Sequence, residues 1–254
     1  MKGLRIFLGL AGVFAASLAV AQGDTRHSGY QDMGPALQKM QDDDTANPGM
    51  LFVQGGEELW NAKAGSADKA CADCHATGSM KGVAARYPAV AKESGKPVDL
   101  EGRINLCRTE HQKAEAFADE SRELLQLTAY VARQSLGEPI APPDDKRLDP
   151  LRAHGEALWK KRQGQLNLSC AACHDANAGK KLAGATIPQA HPTGYPIYRL
   201  EWQTLGSLKR RLRNCMIGMR AEPYDYGAPE YLALEAYLMQ RARGLSMDAP
   251  SVRP

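Results

Sequence analysis

The chain has 254 residues, 43% of them hydrophobic, and 32 basic against 29 acidic side chains for a formal net charge of +3. That length suits two domains of about 100 residues each. Two of the positive charges, Lys2 and Arg5, stand in the first few residues, so the rest is near neutral and bulk binding of nucleic acid or of an anionic membrane is excluded. Any electropositive function must be local. Four phenylalanines and three tryptophans are few for cores of this size, so something besides side chains is expected to help fill them.

Residues 1–21, MKGLRIFLGLAGVFAASLAVA, place Lys2 and Arg5 before a short apolar run that ends in Ala19-Val20-Ala21. A basic start, a greasy core and a small-x-small site describe a cleaved signal peptide, with cleavage before Gln22. No later apolar run approaches the 18 or so residues needed for a membrane span. The mature protein is therefore expected in an oxidising compartment, a bacterial periplasm. Residues 22–48, rich in Gln, Asp and Gly, are expected to form an arm, with a partly disordered tail as the alternative.

From residue 49 the chain repeats itself. GEELW (56–60) and GEALW (155–159) stand 99 residues apart, and so do CADCH (71–75) and CAACH (170–174). Each C-x-x-C-H string reads as covalent c-type haem attachment. Cys71 and Cys74, and again Cys170 and Cys173, would form the thioethers, with His75 and His174 as proximal iron ligands. Further on, LLQLTAYVARQSLG (124–137) matches YLALEAYLMQRARG (231–244). Leu124, Leu127 and Val131 answer to Tyr231, Leu234 and Leu238, each set at helical i, i+3, i+7 spacing. The expected fold class is all-α: two class I cytochrome c-like domains in tandem, residues 49–140 and 150–254, each around one haem. The stretch EPIAPPDDKRLDP (138–150), with four prolines, supplies a linker at 141–149.

A c-type haem usually takes Met or His as its second axial ligand, yet no methionine occurs from Lys81 to Asp145. Met80 lies too close to His75 to reach the opposite face of a porphyrin. Cys107 in GRINLCRTEH aligns with Cys215 in KRRLRNCMIG, one leftover cysteine per repeat. They are expected to be distal thiolate ligands. A Cys107–Cys215 disulfide is the alternative, and His111, His191, Met216 and Met219 compete for the distal positions. On a helix Arg211 would sit one turn from Cys215, where a guanidinium can hold an oxyanion in bidentate fashion. Lys209, Arg210 and Arg213 would widen the field that steers an anion there.

Two C-x-x-C-H domains, a distal cysteine in each, and Arg211-x-x-x-Cys215 followed by Tyr226, Gly227 and Glu230 resemble the SoxA family, the dihaem subunits of SoxAX cytochromes. The resemblance implies two covalent haems and an L-cysteine S-thiosulfotransferase activity. Thiosulfate would be joined oxidatively to a cysteine of the SoxY–SoxZ carrier, with electrons leaving through haem and a SoxX-like monohaem partner. It also implies that Cys215 is the catalytic residue, able to carry an extra sulfur as a persulfide, and that Arg211 binds substrate. A thiosulfate dehydrogenase forming tetrathionate and a plain dihaem electron carrier are the competing readings; a dihaem peroxidase, which needs an open iron, fits less well.

Overall fold

A computed structural model describes residues 23–76 and 78–254; the expected signal peptide lies outside the described residues. The helices are α1 (Pro35–Asp42), α2 (Met50–Asn61), α3 (Leu100–Cys107), α4 (Arg122–Arg133), α5 (Asp149–Lys160), α6 (Cys170–His174), α7 (Leu208–Gly218) and α8 (Pro229–Arg241). Short strands join them: β1 (Ala89–Val90), β2 (Pro97–Val98), β3 (Lys181–Leu182), β4 (Ala185–Thr186), β5 (Ile197–Arg199), β6 (Thr204–Gly206) and β7 (Ser251–Arg253). The all-α expectation is therefore corrected: helices dominate, but β6-β5-β7 form a three-stranded sheet in the second repeat. Strands of two or three residues leave almost no alternation to read in a sequence.

Each repeat is closed by one crossing of two helices, α2 on α4 and α5 on α8. The apolar stripes predicted for the closing helices are the buried ones: Leu124, Leu127 and Val131 are 1–2% exposed, and Tyr231, Leu234 and Leu238 at most 5%. A glycine makes each crossing possible. A Cβ on Gly56 would lie 2.1 Å from the Gln126 carbonyl oxygen, and one on Gly155 2.0 Å from that of Ala233, so the two backbones approach more closely than any other residue allows. Serine or aspartate caps fix where helices begin. Ser121 accepts from the Leu124 amide, Asp99 from Gly102, Ser169 from Ala172 and Ser207 from Arg210, each satisfying a donor the first turn leaves free.

In the described part of 22–48, α1 packs along β7. Gly137, just before the proline-rich stretch, and Ile140 within it donate to the Met247 and Leu245 carbonyls, so the end of the first repeat is pinned beside the end of the second. Lys209 joins the halves again. Its ammonium lies 2.7 Å from Asp99 and 2.9 Å from Glu101, tying the start of α7 to the start of α3.

Candidate active site

The two C-x-x-C-H strings take up matching places. In the first repeat the motif forms a turn, with the His75 amide donating to the Cys71 carbonyl; in the second it is α6 itself. The tryptophan of each GExLW string packs against its histidine: Trp60 and His75, and Trp159 and His174, have ring centroids 5.6 Å apart in both repeats. That contact explains why the tryptophan and the motif are repeated at one spacing.

Around His75 lies a largely apolar cavity of about 400 Å³. Cys71, Cys74, Met80, Cys107 and His111 line it, and Leu127 and Val131 of α4 close one side. Its apolar lining and donor set, two cysteines and a histidine of the C-x-x-C-H string with Cys107 of α3, fit a covalently held haem. In the second repeat His174 donates from one ring nitrogen, Nδ1, to the Pro188 carbonyl at 2.7 Å, and Cys215 lies near the same ring. The two candidate axial groups face each other, and Cys170 and Cys173 stand on the same helix as the histidine. This donor set fits haem as well. None of the six cysteines is in a disulfide.

The groups competing with Cys215 go elsewhere. Met216 and Met219 are 4% and 7% exposed and belong to the apolar core of the second repeat, where the Tyr231 hydroxyl touches the Met216 sulfur at 3.6 Å. His191 turns to the arm, its Nδ1 2.9 Å from the His27 carbonyl oxygen. His111 stays on the wall of the first cavity.

The environments of the two distal cysteines differ in sign. Burial pushes the Cys107 thiol up, and Arg103 only partly opposes it. Burial also acts to raise Cys215, but His174 nearby and the charges of Arg211 and Arg199 outweigh it and hold this thiol below its ordinary value. Cys215 is the better thiolate.

Counting back from each cysteine shows why. Arg103 and Arg211 each stand four residues before it, Glu93 and Glu201 fourteen, and Ala91 and Arg199 sixteen. In the first repeat Glu93 binds Arg103 at 2.7 Å and cancels its charge. In the second Glu201 binds Arg199 instead, at 2.9 Å. Arg211 is left with no carboxylate partner among the described residues. Burial works against its charge, and the Cys215 thiolate sustains it.

Arg199 and Tyr195 are functional candidates that sequence reasoning missed. Tyr195 is the counterpart of Tyr87, each twenty residues before its cysteine and each followed by proline, a repeat signal short enough to overlook. Burial pushes the Tyr195 hydroxyl up to about 12, so it remains a neutral hydrogen-bond donor beside Arg211 and Cys215. For Lys209 the expected steering role is corrected, since it is buried against Asp99 and Glu101. Arg210 stacks over Trp202 at 4.4 Å and Arg213 over Tyr226 at 4.5 Å. Periodicity alone does not tell a buried lysine from a solvated one.

A helical pair-of-repeats fold with a C-x-x-C-H string and a facing cysteine in each half defines a tandem cytochrome c. The SoxA/TsdA cytochrome c domain family matches residues 55–140 and 154–247. The L-cysteine S-thiosulfotransferase subunit SoxA of Pseudaminobacter salicylatoxidans is 39% identical over 83% of this chain and 75% of its own length. That of Paracoccus pantotrophus is 33% identical over 91% and 80%. The crystal structure of SoxXA from P. pantotrophus superposes with a TM-score of 0.86 at 33% identity, covering 90% of this chain and 87% of that one. The chain belongs to the SoxA family.

Proposed function

We propose that this chain is the dihaem subunit of an L-cysteine S-thiosulfotransferase, exported through residues 1–21 to the periplasm, with its active site in the second repeat. The arm would be 22–48, the first cytochrome unit 49–140, the linker 141–149 and the second unit 150–254. Cys71, Cys74, His75 and Cys107 would hold one haem, and Cys170, Cys173, His174 and Cys215 the other. Haem supplies the capacity to accept the electrons of an oxidative coupling. A SoxX-like monohaem cytochrome would be the partner that receives them, in keeping with the SoxXA complex that the chain resembles.

The chemistry joins the outer sulfur of thiosulfate to the sulfur of a carrier cysteine, as on SoxY–SoxZ. One sulfur–sulfur bond forms, the carrier thiol loses its proton, and two electrons leave. The observation that carries this reading is the unpartnered Arg211 beside Cys215, with Arg199 next to both. Guanidinium groups pair with sulfonate oxygens through charge-assisted bonds, and a site that excludes water strengthens them. Arg211 thus orients the dianion with its reactive sulfur free. Cys215, whose thiol His174 and the two arginines hold below its ordinary value, is the residue at which sulfur chemistry and ligation meet. A plain electron carrier has no use for an uncancelled buried cation.

Arg211→Ala removes a charge-assisted contact of roughly 1.5–3 kcal/mol, so conjugation of thiosulfate to the carrier should fall about ten- to a hundredfold. Arg211→Lys should recover only part of this, because the fork is gone. Arg103→Ala, its counterpart in the first repeat, should leave turnover near normal. Equal losses from Arg103→Ala and Arg211→Ala would overturn the assignment to the second repeat. Thiosulfate oxidation of equal rate with and without the carrier would instead establish a thiosulfate dehydrogenase.

A further inference from the structure

The arm precedes the first repeat in sequence and pairs with it through Asp44, 2.7 Å from Arg133 of α4, yet most of its side-chain hydrogen bonds to the rest of the chain run to the second. The Thr25 carbonyl accepts from the Gln189 side-chain Nε2 at 3.1 Å, and the His27 amide donates to Gln189 Oε1 at 3.0 Å. Both ends of one amide are therefore held by arm backbone. The His27 carbonyl meets His191 Nδ1 at 2.9 Å, and Ser28 Oγ lies 3.0 Å from Thr193 and 2.6 Å from Asp248. Gln189 directly follows Pro188, whose carbonyl accepts from His174 Nδ1. Between the clamped residues Ala190 takes a φ of 61°, a left-handed conformation that a residue with a Cβ keeps only where its surroundings impose it.

A second grip reaches the opposite side of the site. Asn47 Nδ2 donates to the Pro250 carbonyl at 3.0 Å, and Gln41 Oε1 accepts from the Val252 amide at 3.1 Å. These residues begin and form β7, which pairs in parallel with β5 so that Arg253 lies beside Arg199. One segment thus braces the strand that carries Arg199 and the loop that hydrogen-bonds His174.

We propose that the N-terminal arm is the positioning element of the second centre, and that Gln189, gripped by the arm backbone, is the positioning residue that holds the Pro188 carbonyl on His174. A proximal histidine that donates firmly from its second nitrogen is a stronger donor to iron. A stronger donor stabilises the ferric state and lowers the potential. The arm thereby sets the potential of the second centre through His174, whereas its pair with the first repeat, Asp44 with Arg133 at the end of α4, lies away from the Cys71–His75 string. This rests on the reading of His174 as a proximal haem ligand.

The test is redox potentiometry with electron paramagnetic resonance on the intact, haem-loaded protein, where the first centre serves as an internal reference. Gln189→Ala should raise the midpoint potential of the second centre and change the g-values of its ferric signal, with both unchanged at the first. Gln189→Asn, too short to meet both arm groups, should shift the second centre less in the same direction, and it decides the matter if the alanine variant does not accumulate. A second centre with unaltered potential and g-values, or both centres moving together, would overturn the proposal. Loss of the underlying reading looks different: intact mass of the unsubstituted protein would then exceed the polypeptide by one haem group instead of two.

Discussion

Glu201 can neutralise either of two arginines, and the choice decides what the second site can bind. In the first repeat the equivalent Glu93 has only Arg103 to pair with, because Ala91 occupies the place of Arg199. Arg199 draws Glu201 away and so leaves Arg211 free for an anion. Its contribution is then partly indirect, and a double-variant cycle can separate the two parts. Arg199→Ala should weaken thiosulfate use about tenfold or more, through lost charge and through Glu201 turning to Arg211. Arg199→Ala combined with Glu201→Ala should regain part of that loss in kcat/KM. No regain in the double variant would mean that Glu201 does not compete for Arg211.

At the level of elements, the two helix crossings hold each C-x-x-C-H string against its wall. Trp159 is the hinge of this arrangement in the second repeat. It packs on His174, donates from Nε1 to Asp175 at 2.8 Å, and lies under Arg241 of α8 at 4.7 Å. The depth of the crossing depends on Gly155, where an added methyl would strike backbone and not a side chain that could turn away. Gly155→Ala should therefore lower stability by about 1–3 kcal/mol, the usual penalty of overpacking, and loosen the contact of Trp159 with His174. Urea unfolding measures the first effect. A midpoint equal to the parent's would show that α5 and α8 can separate freely.

Across the whole molecule the halves meet at an electrostatic cluster with more acid than base. Asp99 and Glu101 of the first repeat and Glu235 of α8 share one lysine, Lys209, around a small cavity that Tyr87, Tyr195 and Thr128 also line. Burial pushes Glu101 up to about 7, against the pull of Lys209 and with the help of Asp99. Glu235 is raised well above the ordinary carboxylate range by burial and by the charge of Asp99. The folded protein thus binds more protons than the unfolded chain in this window. Stability from Glu101 is full below about pH 4.5 and is lost as pH rises through about 7, and that from Glu235 is lost as pH rises through its own raised value. Glu235→Gln, which needs no proton to stay neutral, should raise the free energy of unfolding at alkaline pH relative to the parent. At pH 5 the gain should vanish. The same gain at both pH values would show that Glu235 is ionised throughout.

Much of the site was legible because it is carried by local patterns that occur twice. The two C-x-x-C-H strings, the GExLW tryptophans and the apolar stripes of α4 and α8 are short-range features. Spacing alone also set Cys107 opposite Cys215 in the repeat. The four residues from Arg211 to Cys215 make one helical turn whatever surrounds them. Tertiary structure alone decided the charges. Arg199 reaches the site through strand pairing with β7 at the far end of the chain, and the fate of Lys209 depends on two acids more than a hundred residues away. The arm closes on the second repeat across some 160 residues. Such contacts leave no periodicity, because hydrogen bonds and ion pairs depend on where a few atoms meet and not on the average polarity of a segment.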